Sequence, residues 1–179
     1  MIFIVSSMLL VSCENDIEEV KAVTINKNLP DVEGKGLVIE YTDSAKLKVK
    51  VLTPFMNGYE TVTKPYYEFP KGIHVYFYND SGKVTGELIA NYAIYNKTTD
   101  LWEARNNVIG LSPKGDKLNT EQLFWDVNKK KFFSKKYTRI TNANGDQHNG
   151  EAGFESNDDF SDQKLFGSVG SFTVKDEAL

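Results

Sequence analysis

The line GDKLNTEQLFWD, Gly115 to Asp126, returns thirty positions later as GDQHNGEAGFES, Gly145 to Ser156. The match also reaches backwards. Leu88 to Asn96, LIANYAIYN, aligns with Leu118 to Asp126, LNTEQLFWD, at the same offset. A looser echo pairs TDSAKLKVKVL with NDSGKVTGELI. A unit of this length is two strands with their turns, and it cannot bury its apolar face alone. It must stack on its neighbours, so the repeat predicts a pile of β-hairpins. A propeller is disfavoured, because each blade takes about 40 residues and at least four blades are needed.

Alternation within the segments agrees. KLKVKVL puts Leu47, Val49 and Val51 on one face and Lys46, Lys48 and Lys50 on the other, the period of a half-buried strand. GIHVYFYND sets Ile73, Val75 and Phe77 opposite His74, Tyr76 and Tyr78 in the same way. Turn formers separate the segments at Thr42-Asp43-Ser44, Asn79-Asp80-Ser81-Gly82, Pro113-Lys114-Gly115 and Asn142-Ala143-Asn144-Gly145. No long segment after Gly36 has a period of 3.6. The expected domain is therefore all-β and antiparallel over residues 37–179. Its candidate apolar face is Ile39, Tyr41, Leu47, Val49, Val51, Ile73, Val75, Phe77, Leu88, Ala90, Trp102 and Leu118. Phe69, just before Pro70, is expected at the mouth of a strand. Such a face fills a dry core, or in an open fold doubles as a binding wall.

Chemistry is scarce along the chain. At 179 residues it fits one domain with a tail. A net charge of -4 offers nucleic acid no attraction. The one cysteine excludes an internal disulfide and any multi-cysteine zinc site. His74 and His148, the only histidines, stand at no metal-binding spacing. Adjacent carboxylates such as Glu18-Glu19 and Asp158-Asp159 are inevitable among 25 acidic residues. The expectation is a non-catalytic protein without cofactor or metal.

The N-terminus reads MIFIVSSMLLVSCEND. Its apolar run is too short for a bilayer-spanning helix, which takes about 20 residues, but it suits a secretory signal. Leu10-Val11-Ser12-Cys13 resembles the bacterial lipobox, in which cleavage frees a cysteine that carries lipid. The reading is a signal peptide over residues 1–12, lipid attachment at Cys13 and a polar tether over 13–36. A multiply acylated terminus holds a membrane firmly, at about 0.8 kcal/mol per buried CH₂. The alternative is a buried N-terminal strand with an inert Cys13.

Taken in order, the lipobox, YTDSAKLKVKVLTP, YYEFPKGIHVYFYNDSGKV, ANYAIYNKTTDLWEARNNV, KLNTEQLFWD and GEAGFESNDDFS resemble LptC. LptC is the periplasmic lipopolysaccharide-export family, and the chain looks like its lipoprotein form in Bacteroidetes-type bacteria. The resemblance runs from about Tyr41 to Val174. It implies a twisted β-jellyroll open along one side, lipid-anchored at the periplasmic face of the inner membrane. It also implies partners: lipopolysaccharide itself, the inner-membrane ABC transporter that supplies it, and LptA, a bridging protein of the same fold. Better-known members use a transmembrane helix where this chain would use Cys13.

Two edges then carry the joints, as unpaired strands do when a partner adds to a sheet. The first strand, about Leu37–Thr42, is expected to meet the transporter. The last, with Ser168, Val169, Phe172 and Val174, is expected to meet the bridging protein. The lysine run KKKFFSKK, Lys129 to Lys136, either meets lipid phosphates or is solvated edge protection. A different function class is a glycan-binding surface lipoprotein, with Tyr66, Tyr67 and Tyr76 as stacking platforms. The two differ in where those rings point.

Overall fold

A computed structural model describes residues 29–158, 160 and 162–171. The described residues form twelve strands in one antiparallel sheet, the expected all-β fold of jellyroll-like type. In order they are β1 (Val32–Asp43), β2 (Lys46–Tyr59), β3 (Tyr66–Phe69), β4 (Ile73–Tyr78), β5 (Val84–Ala90), β6 (Tyr92–Asn96), β7 (Leu101–Leu111), β8 (Lys117–Asp126), β9 (Lys131–Ser134), β10 (Thr138–Thr141), β11 (Gln147–Asn157) and β12 (Gln163–Ser171). β1 starts at Val32, five residues before the expected domain boundary at 37. Its first residues pair with the far end of β2, Val32 opposite Gly58, so part of the presumed tether is sheet. Cys13 and the signal segment lie outside the described residues.

The strand pairings resolve into two limbs. Across the first limb the order is β1-β2-β4-β5-β7-β8-β10-β11-β12. Across the second it is β1-β2-β3-β6-β7-β8-β9-β11-β12. β1, β2, β7, β8, β11 and β12 run through both limbs, while β3 to β4, β5 to β6 and β9 to β10 cross by short connections. The sheet is thus folded once along a line perpendicular to its strands.

This explains the repeat. Each arm that descends from the first limb to the second, namely β2, β5 with β6, β8 and β11, begins at one of the sequence echoes. All four predicted turns sit at the same end, the tip of the first limb. In three of them the geometry is the same: Gly82, Gly115 and Gly145 donate to the carbonyls of Asn79, Ser112 and Asn142 at 2.9, 3.0 and 2.8 Å. These glycines have φ of +77°, +93° and +94°, the left-handed region that a side chain disfavours. Ser44 and Ala45, with φ of 51° and 60°, make the fourth as a two-residue hairpin turn. The third turn also docks on the second, Ala143 N–H donating to Asp116 Oδ1 at 3.1 Å.

The fold line leaves backbone groups without ladder partners, and buried hydroxyls occupy it. Thr53 donates to the Gly72 carbonyl at 2.9 Å and Thr120 to the Tyr137 carbonyl at 2.8 Å. The core lies between the limbs. Phe77 of the first limb meets Trp125 and Phe132 of the second edge-on, at 5.5 and 5.7 Å between centroids. Edge-to-face contacts of this kind suit the charge distribution of aromatic rings.

Candidate functional site

The interior is built from rows that cross the sheet. On the first limb Ile39, Val51, Val75, Leu88, Gly110, Leu118 and Ile140 stand opposite one another strand by strand. On the second, Tyr67, Tyr95, Trp102, Trp125 and Phe132 do the same. Their rings follow one another: Tyr95 on Trp102 at 4.8 Å, Trp125 on Phe132 at 5.7 Å, and Phe132 on Phe160 at 4.6 Å. Burial and a 2.7 Å hydrogen bond to Asp100 push the Tyr95 hydroxyl up to about 12. Trp125 keeps its indole N–H buried with no hydrogen-bond partner among the described residues.

All twelve residues of the expected apolar face, and Phe69 with them, lie on this inner surface. Val49, Val51, Phe69, Ile73, Val75, Phe77, Leu88, Ala90 and Leu118 are buried, and Ile39, Leu47 and Trp102 half-buried. Tyr41 is 55% exposed, because its strand is the last in the sheet. Phe69 departs from expectation: it is no mouth residue, but fully buried at the fold line and stacked on Trp102 at 5.3 Å. The cavity between the limbs measures only about 20 Å³, lined by Val51, Val75, Phe77, Leu88, Trp102 and Trp125 among others. That is room for about one water, and an apolar lining of this kind stays dry. In this conformation the face is a packed core, and a chain can enter only where side chains or limbs move apart.

Two strands have one neighbour each among the described residues. β1 pairs only with β2 and β12 only with β11, so both offer a row of backbone groups to a further strand. In β12, Ser168 and Val169 stand opposite Gly150 and Asn149. Phe172 and Val174 lie outside the described residues. β12 runs from Gln163 to Ser171, beginning five residues before the predicted edge.

The outer surface of the second limb carries a polar and aromatic belt. Tyr59 stacks on Tyr66 at 4.6 Å. Tyr92 donates to Glu68 at 2.6 Å beneath the Arg105 guanidinium. Burial and that carboxylate raise the Tyr92 pKa. Arg105 grips Glu103 through two hydrogen bonds of 2.6 Å, and Gln122 donates to the same carboxylate. Burial pushes the Glu103 carboxyl up, but Arg105 and Gln122 outweigh it and hold the group below its usual range. On the first limb's outer surface Tyr76 lies against His74, which bonds Glu87 at 2.8 Å. The three tyrosines therefore divide: Tyr66 and Tyr76 face outwards, while Tyr67 packs against the core and donates to Glu60 at its rim.

Sequence reasoning overlooked much of the second limb's contribution. Ala93, Ala104, Leu123, Phe132 and Phe154 are buried there, as are Val108 and Ile140 on the first limb. The KFF triplet at Lys131 to Phe133 held the signal, since its alternation places Phe132 inward, but the surrounding lysines masked it. No family model matches the chain, and no curated protein sequence aligns with it.

Proposed function

We propose that the protein is a non-catalytic lipopolysaccharide-transfer module of the LptC kind. It takes the lipid from an inner-membrane ABC transporter and hands it to a periplasmic bridging protein of the same fold. Anchoring at Cys13 would hold it at the membrane. The observation that carries the reading is the set of apolar and aromatic rows enclosed by a once-folded sheet whose two outermost strands each have one neighbour among the described residues. Acyl chains cannot cross water unaided, since each exposed CH₂ costs about 0.8 kcal/mol. A row of inward residues that continues from strand to strand offers them a path, and unpaired edges let a neighbouring sheet extend it.

A second reading, glycan binding, is favoured by the Tyr59–Tyr66 stack beside Glu68, Tyr92 and Arg105, since ring faces and charged groups together suit sugars. One experiment separates the two. A photo-crosslinking residue at Tyr41, on the inward row, should capture lipopolysaccharide in cells, whereas the same residue at the outward Tyr66 should not. Capture of polysaccharide at Tyr66 with none of the lipid at Tyr41 would reverse the order. For the edge, Val169→Pro removes a backbone donor. The variant should keep its circular dichroism and lipid capture, yet lose the bridging partner in a pull-down.

A further inference from the structure

At the tip of the second limb the turn between β8 and β9 and the start of β12 enclose an open groove of about 290 Å³. Lys129, Lys130, Lys131 and Lys164 line it, with Glu155 and Asp162. This concentrates positive charge on a chain whose net charge is -4. Lys129 is tied to Asp126 at 2.7 Å and Lys131 to Glu155 at 2.6 Å. Lys130 and Lys164 are exposed and have no carboxylate within ion-pair distance among the described residues. Lys164 extends its ammonium 4.9 Å above the Phe166 ring.

The groove lies on the outer face of the second limb at its tip, and the interior begins on the other face of the same strands. Lys131 is followed by Phe132, fully buried between the limbs. Phe160, between Asn157 and Asp162 of the groove, stacks on that ring at 4.6 Å. Phe160 also lines a cavity of about 30 Å³ with Leu118 and Ile140 of the first limb. The cationic groove and the apolar interior thus meet around one loop, with Asn157 and Asp162 on the groove and Phe160 inside, the arrangement an anionic amphiphile requires: charge outside, hydrocarbon inside.

We propose that this lysine groove binds the phosphate groups of a lipid headgroup whose acyl chains enter between the limbs beside Phe160. The proposal rests on the reading of the interior as an acyl-chain site. Lys130 and Lys164 supply the cations left without an ion pair among the described residues, and a phosphate monoester offers acceptor oxygens for charge-assisted hydrogen bonds.

The test uses the full chain with two probes, bisphosphorylated lipid A and the same lipid after enzymatic dephosphorylation. The double variant Lys130→Glu, Lys164→Glu lies at exposed positions and should melt like the unaltered protein. Its affinity for the phosphorylated lipid should fall about tenfold, with no change for the dephosphorylated one. Inorganic phosphate at the same concentration should displace neither. If the unaltered protein binds both lipids equally, or the variant weakens both alike, the headgroup site fails and the interior reading stands. Displacement by inorganic phosphate would assign the groove to the free ion and overturn the lipid assignment. If neither lipid binds, the interior reading fails and the headgroup site with it.

Discussion

Tyr95 reports on how tightly the interior is sealed. Its hydroxyl titrates at about 12 against an ordinary 10, because burial and the Asp100 carboxylate both disfavour the phenolate. A proton held more firmly in the folded state stabilises it below the unfolded pKa, and that contribution is lost as pH rises through the folded one. Stability should therefore hold up to pH 10 and fall between pH 10 and 12. Tyr95→Phe should flatten that decline and remove one late-titrating tyrosine from the ultraviolet absorbance curve. Gly72 tests the fold line. Its φ is +83° and an added Cβ would stand 2.4 Å from the Ala90 carbonyl oxygen, which cannot swing away. Gly72→Ala should cost about 3 kcal/mol in urea unfolding. Gly82→Ala, with φ of +77° but open space around it, should cost only about 1 kcal/mol.

The arms were legible in the sequence as far as the fold line, and no further. Within the first limb a strict period of two identifies the inward residues, as at Val49 and Val51 or Leu88 and Ala90. At the bend three of the four descending arms change parity, while β11 keeps its parity across a bulge between Gly150 and Gly153. β8 turns Leu118 and Thr120 inward, then Leu123 and Trp125; β5 turns in Leu88 and Ala90, then β6 turns in Ala93 and Tyr95. The returning arm β7 keeps its parity by spending two residues, Asn106 and Asn107, in a bulge with φ of 62° and 53°. An alternation rule carried straight through such a bend puts the core on the wrong face. The repeat itself was legible because each of the repeated turns needs a glycine at the same place. The bend is written differently in each arm, with Thr53 in β2, Asn91 between β5 and β6, Thr120 in β8 and a glycine bulge in β11. Thr120→Val keeps the shape and removes the donor to the Tyr137 carbonyl. It should lower stability by about 1–2 kcal/mol, read from a shifted urea midpoint with an unchanged slope.

At the scale of the molecule, the limbs are held together where Phe77, Trp125 and Phe132 meet. Phe132→Ala should cost about 3–5 kcal/mol and leave a dry cavity that takes up xenon or benzene. Binding of such a probe, followed by calorimetry or crystallography, would mark where the interior yields most readily. The arms alternate in direction, returning and descending, and both the first, β1, and the last, β12, run from the second limb towards the first. An odd number of passes leaves the two outermost strands pointing the same way. A neighbour of the same build, joined so that each of its limbs continues the matching limb here, would therefore lay its first strand parallel to β12. That seam would be a parallel junction in an otherwise antiparallel ribbon, with slanted and slightly weaker hydrogen bonds. Under load such a chain of proteins would part between its members before any member came undone.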